Sequence, residues 1–136
     1  MTFKNGEFDE RLGTYVYDDV IGHVYIACFQ PGETYKVGIT TNLDNRLNQL
    51  KSEYRKSDIF YVYYKYFLKP FRVEQELLAE YSDNRKYESY LELIRLNFDE
   101  LKEMQYKLFN TSPSIHSQEE YIDWRESLLQ RHQKFR

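Results

Sequence analysis

Cysteine is nearly absent from this chain of 136 residues: Cys28 stands alone. One thiol excludes an internal disulfide and any all-cysteine zinc site, and it fits a reducing compartment. Cys28 falls in a strand-like stretch, where a small buried core residue is expected. Histidine is scarce too. His23, His116 and His132 show no metal-ligand spacing, so no zinc centre is expected. There is no long apolar run: the aromatic-rich stretch from Ile59 to Leu68 contains Lys65 and is too short to span a bilayer. The chain opens Met1-Thr2-Phe3-Lys4-Asn5, polar, with no apolar stretch behind it, so no signal peptide is expected. An intracellular, cytoplasmic protein with no membrane partner is the expectation. A P-loop, a Ser/His/Asp arrangement and a dinucleotide fingerprint are all missing. So are internal repeats, heptads and low-complexity segments.

What is plentiful is tyrosine. Aromatic residues make up 18% of the chain, with 14 Tyr among them, and apolar residues 41%. Tyrosine joins a large apolar body to a polar tip, so it can build a core and still line a polar groove. The length suits one domain with a modest core. The net charge of −3 argues mildly against a nucleic-acid partner; its distribution matters more, although charge alone would read the one basic segment as a solvated helix face. Residues 1–35 carry 2 basic and 6 acidic side chains, a balance of −4. Residues 36–86 carry 10 basic and 7 acidic, a balance of +3, and residues 87–136 carry 7 and 9, a balance of −2.

Tyr15-Val16-Tyr17 reads as a short strand within a polar lead-in over residues 1–21. His23 to Phe29 has the β-branched and aromatic content of a buried strand. Gln30-Pro31-Gly32-Glu33 is a turn signal, with Gly32 at the positive-φ position, and Thr34 to Ile39 returns to complete a hairpin. Thr40, Thr41 and Asn42 are all good N-caps. Leu43, Leu47 and Leu50 then follow at helical spacing. Asp58 to Lys69 reads as a third strand, whose unbroken aromatic run implies that both faces are covered. Pro70 ends it, and Phe71 to Tyr81 predicts a helix with Val73, Leu77, Leu78 and Tyr81 inward. Tyr87 to Ile94 is ambiguous between strand and helix. Asn97 looks like the N-cap of a further helix. Ser117 with Glu120 forms a capping-box pattern ahead of a last one, reaching about Gln133. The expected fold class is α+β: a small antiparallel or mixed sheet of about three strands flanked by helices, with a C-terminal helical extension over residues 95–136.

Gly22-His23-Val24-Tyr25-Ile26, then Tyr35-Lys36-Val37-Gly38-Ile39-Thr40, then Asn42-Leu43-Asp44-Asn45-Arg46-Leu47 resembles the GIY-YIG nuclease superfamily. Within it the chain is most similar to the phage and virus branch whose second motif reads Lys-Ile-Gly. Glu74 to Tyr81 matches the family helix that carries a metal-binding glutamate. Arg85 to Leu91, with Glu88 and Tyr90, resembles the branch's closing strand. The resemblance covers residues 22–94. Leu78 stands where many relatives have a histidine.

The resemblance implies a Mg²⁺- or Mn²⁺-dependent endonuclease acting on DNA rather than RNA, from a phage or a virus; for a virus of a eukaryote the host nucleus is a second location. Tyr25 would be the general base, Arg46 the phosphate clamp and Glu74 the metal ligand. Lys36 holds the place of the second motif's tyrosine, where its cation would lower the pKa of Tyr25 or orient the water. Mg²⁺ retains most of its waters, so one carboxylate suffices. Each residue also has a plain structural reading. Tyr25 and Tyr35 are candidate core aromatics, and for Tyr35 that reading is preferred because it lies one residue before the functional slot. Arg46 could pair with Asp44 or Glu53 on a helix surface. Glu74 shares its helix with Glu76 and Glu80. A non-catalytic nucleic-acid-binding module, or a protein-interaction factor working through the C-terminal helices, remains as the alternative function. A homodimer is an expected assembly.

Overall fold

The computed structural model describes residues 7–9, 14–16, 21–84 and 93–114, the first two segments as backbone only. Ten elements follow one another in them. Strands β1 (Glu7–Asp9) and β2 (Thr14–Val16) pair antiparallel as a separate ribbon. Strands β3 (Gly22–Gln30) and β4 (Thr34–Thr40) form the hairpin. Helix α1 (Leu43–Glu53), strand β5 (Phe60–Phe67) and helix α2 (Pro70–Glu80) come next. A 3-10 turn (Ser82–Asn84), strand β6 (Ile94–Arg95) and helix α3 (Phe98–Asn110) complete the described chain.

The central sheet has four antiparallel strands in the order β5-β3-β4-β6, one more than expected. The added strand is short, Ile94 and Arg95 pairing with Tyr35 and Thr34, and begins at the end of the Tyr87 to Ile94 stretch, whose sequence is ambiguous between strand and helix. The last predicted helix and the whole Arg85 to Leu91 match lie outside the described residues.

Local chemistry explains the hairpin and the helix starts. Gly32 takes φ 71° in the turn, the conformation a side chain resists. Its N–H donates to the Tyr35 hydroxyl at 2.6 Å, so Tyr35 braces the turn beside it. Asn42 caps α1, its side chain accepting from Asn45 N at 3.0 Å. Pro70 sits at the first position of α2, where its missing N–H costs nothing. Asn97 caps α3 with a reciprocal capping box to Glu100.

The sheet separates two apolar clusters. On one face Val24, Ile26, Cys28, Tyr35 and Val37 pack with Val73 and Leu77 of α2 and with Leu101, Met104 and Leu108 of α3. On the other, Tyr25, Ala27 and Phe29 pack with Leu50 of α1 and with Ile59 and Leu93, and Leu43, Leu47 and Tyr61 close the margin. Strand alternation makes this division: neighbours in sequence face opposite layers. Cys28 is buried and its thiol pKa is pushed up, first by burial, as suits an inert core residue.

The expectation that both faces of the third strand are covered is corrected. β5 is an edge strand, and Tyr64 and Tyr66 are 52% and 47% exposed. An aromatic run cannot distinguish a central strand from an edge strand that presents rings to solvent. The other face of β5 is tied down. Lys65 Nζ donates to the carbonyls of Leu108, Phe109 and Thr111 at 3.2, 2.8 and 2.6 Å, capping the end of α3. Lys107 of α3 bonds Glu80 of α2 at 2.6 Å, and Tyr81 donates to Glu103 at 2.9 Å. Helix α3 is therefore packed into the same body as β3, β4, β5 and α2. Met104 is fully buried in it. Met104→Ala should lower unfolding free energy by about 2–5 kcal/mol, read from the urea midpoint at constant slope.

Candidate active site

The cross-strand register sets the parity of the site. Tyr25 of β3 lies opposite Gly38 of β4, and Ala27 lies opposite Lys36. Partners in an antiparallel pair share a face. Lys36 and Gly38 therefore stand on the Tyr25 side, while Tyr35 is buried in the opposite cluster. Tyr25 is itself fully buried. Its ring lies across Gly38 so closely that a Cβ there would collide with the phenol oxygen. A glycine inside a strand often marks such a close approach.

Helix α1 brings in the guanidinium. Arg46 sits one turn past the Asn42 cap, its backbone N–H bonded to Asn42 O at 3.0 Å. Its Nε–H donates to the Tyr25 hydroxyl at 3.1 Å. Its Nη1 lies 3.4 Å from Gln49 Oε1 and 3.6 Å from the exposed carboxylate of Glu53. The helix-surface pairing with Glu53 is thus present together with the contact to Tyr25. An exposed pair of this kind is worth about 0–1 kcal/mol, so an incoming anion can displace Glu53 at little cost.

The electrostatics of the phenol run against the expectation of a lowered pKa. Burial is the largest influence and pushes Tyr25 above its ordinary value. The hydrogen bond and charge of Arg46 pull it down, and the carboxylates of Glu74 and Glu53 push it up. The cation in hydrogen-bond contact with the phenol is Arg46. Burial works to lower the Arg46 pKa, but Tyr25, Glu53 and Tyr54 outweigh it and hold the guanidinium above its ordinary value.

Among the three candidate glutamates of α2, only Glu74 contributes its charge at Tyr25. Glu80 is paired to Lys107, and Glu76 is buried. Glu74 accepts from Gln75 Nε2 at 2.8 Å. Lys36 is buried, 6% exposed, two residues before Gly38, about 7 Å along the strand. Tyr25 and Arg46 are in direct contact, Glu74 reaches the phenol through its charge, and Lys36 shares the face.

One residue escaped the sequence reading. Tyr61 of β5 packs its ring 5.2 Å from that of Tyr25 and donates its hydroxyl to Leu43 O at 2.8 Å, at the start of α1. It ties the edge strand to the helix that carries Arg46. Burial first, then the Tyr25 charge, pushes its pKa up to about 12. In a run of six β-formers nothing marks Tyr61 out from Tyr63 or Tyr64.

Family comparison bears on these residues. A family model described as the T5orf172 domain matches residues 22–109. The chain belongs to the T5orf172 domain family. The match begins at Gly22, takes in the whole Tyr25, Gly38 and Arg46 constellation, and runs through most of α3. No curated protein and no solved structure matches the chain. Among the described residues no group of three or more His, Cys, Asp or Glu converges as a ready-made metal cluster. None of the described helices is long and apolar enough to cross a membrane.

Two outcomes follow from this T5orf172 geometry. Gly38→Ala should cost about 1–3 kcal/mol and disturb the tyrosine near-ultraviolet signal, because the added methyl must move the phenol. Tyr61 ionises later in the folded chain than in the unfolded one. The stability it contributes is complete below its unfolded pKa of 10.0 and is lost as pH climbs toward about 12. Tyr61→Phe should flatten the fall in unfolding free energy measured across that window.

Proposed function

We propose that this T5orf172 domain is an endonuclease of the GIY-YIG type that hydrolyses phosphodiester bonds in DNA with Mg²⁺ or Mn²⁺. The family is phage-associated and related to GIY-YIG- and HNH-type nucleases. The observation that carries the reading is the Arg46 Nε–H to Tyr25 hydroxyl bond of 3.1 Å, formed over Gly38 and within the field of Glu74. A buried phenol needs a hydrogen-bond partner; here that partner is a guanidinium, a cation that favours the phenolate a general base requires.

Each residue has a role that its position supports. Arg46 binds the phosphate through its planar fork, exchanging the weak Glu53 pair for the phosphate oxygens. Its Nε stays on Tyr25, favouring the phenolate over the phenol. Tyr25 takes a proton from the attacking water, which approaches phosphorus in line with the departing 3′ oxygen. Lys36 adds positive potential on the same face.

Glu74 is the residue that would hold the metal. A hard carboxylate suits Mg²⁺, which keeps several of its waters, and among the described residues no His/Cys/Asp/Glu cluster of the kind zinc takes is formed. When bound, the ion supplies charge neutralisation at the leaving oxygen. The chain's own acidic character means few phosphate contacts, so DNA binding is weak and only shallowly dependent on salt.

The reading is tested by plasmid cleavage in Mg²⁺ and in Mn²⁺. Tyr25→Phe, Arg46→Ala and Glu74→Gln should each lower the rate by about 10²–10⁴-fold with the fold intact by circular dichroism. The wild-type rate should rise about tenfold per pH unit from neutral pH into the alkaline range, since the base is a phenol held above its ordinary pKa. A chain that binds DNA and never cuts it, with either metal, would be the non-catalytic binding module instead.

A further inference from the structure

The edge strand carries a second feature beside the candidate site. Tyr64 lies directly opposite Tyr25, and Tyr66 opposite His23, so both rings stand on the Tyr25 face. Tyr64 and Tyr66 are about half exposed. The His23 ring sits edge-on to both, at centroid distances of 5.9 and 5.7 Å. Tyr64 is also edge-on to Tyr61 at 5.9 Å, and Tyr61 touches Tyr25. An unbroken path of aromatic contacts therefore runs from the phenol under Arg46 out to the open edge of the sheet.

We infer that Tyr64 and Tyr66 form a stacking platform for the bases of unpaired nucleotides next to the phosphate held at Arg46. The inference rests on the nuclease reading and names the form of its substrate: single-stranded or locally opened nucleic acid. Two observations select this occupant. The platform is continuous with Tyr25 and Arg46, so a strand whose phosphate lies at the guanidinium has its neighbouring bases over β5. The chain is also acidic, with a net charge of −3, so phosphate contacts alone give little affinity and π-faces must supply the rest. Stacking tolerates any base and a duplex hides its base faces, so the platform discriminates against paired DNA. His23 Nδ1 is buried and has no hydrogen-bond partner among the described residues.

The test measures binding of labelled oligo(dT), and of a duplex of equal length, without divalent metal at low salt. Tyr64→Ala/Tyr66→Ala should weaken oligo(dT) binding about tenfold or more per ring removed. Tyr64→Phe/Tyr66→Phe should bind like the wild type, because the ring and not the hydroxyl carries the stacking. Duplex binding should change far less. Normal oligo(dT) binding by the alanine variant, with binding lost in Arg46→Ala, overturns the platform and leaves the nuclease reading standing. A wild-type chain that binds neither probe and cuts neither overturns both. An alanine variant that binds oligo(dT) normally but sediments as a smaller species than the wild type makes this edge a self-association surface and overturns the platform.

Discussion

The hydroxyl of Tyr25 has a place in this protein only because Gly38 has no side chain. Strand β3 buries the ring completely, β4 supplies the gap over which it lies, and α1 presents Arg46 to the oxygen at 3.1 Å. Much of the surrounding structure serves that contact. The Asn42 cap fixes where α1 begins and so which residue reaches the phenol. Tyr61 pins the same helix end to β5 from the other side. The packing of α2 beneath β3 and β4 sets Glu74 close enough for its charge to act on Tyr25.

Burial and charge are opposed at this phenol. Removing an ionisable group from water favours its neutral form, and here that effect exceeds the help given by one arginine. The same opposition acts at Arg46, with the opposite outcome: its partners outweigh its burial. The pair is thus asymmetric, a permanent cation holding a mostly protonated phenol. A phosphate drawn to Arg46 competes for the guanidinium, and the competitor closest to hand is Glu53, exposed and weakly held. That arrangement lets an anion enter without dismantling the Tyr25 contact.

The far side of the sheet is built differently. There these polar groups are committed to structure: Lys65 on three carbonyls at the end of α3 and its cap, Lys107 between Glu80 and Glu103, and Tyr81 on Glu103. Glu80, which has the same composition and helix as Glu74, is consumed by this network. Among the described residues, Lys65, Lys107, Glu80 and Glu103 hold α2 and α3 in place, while Arg46 by contact and Glu74 by its charge act on one phenol.

The α+β class, the hairpin, the helices at Leu43 and Pro70 and the cap at Asn97 were legible in the sequence because they depend on local signals: turn residues, caps, and periods of two or near four. Strand alternation separates Tyr35 from Lys36 and Gly38, but that the latter pair shares the face of Tyr25 was decided by the cross-strand register. What the linear pattern could not contain was the order of the strands. A run such as Phe60-Tyr61-Val62-Tyr63-Tyr64 has the same composition at an edge as in the centre, so the exposure of Tyr64 and Tyr66 and the contact of Tyr61 with Tyr25 emerged only with the fold. The preference for Glu74 over Glu76 and Glu80 came from the sequence match, while the pairing of Glu80 with Lys107 of a distant helix emerged only with the fold. Local sequence specified which side chains could meet at the site; long-range packing decided which of them did, and how far burial would outweigh charge once they were there.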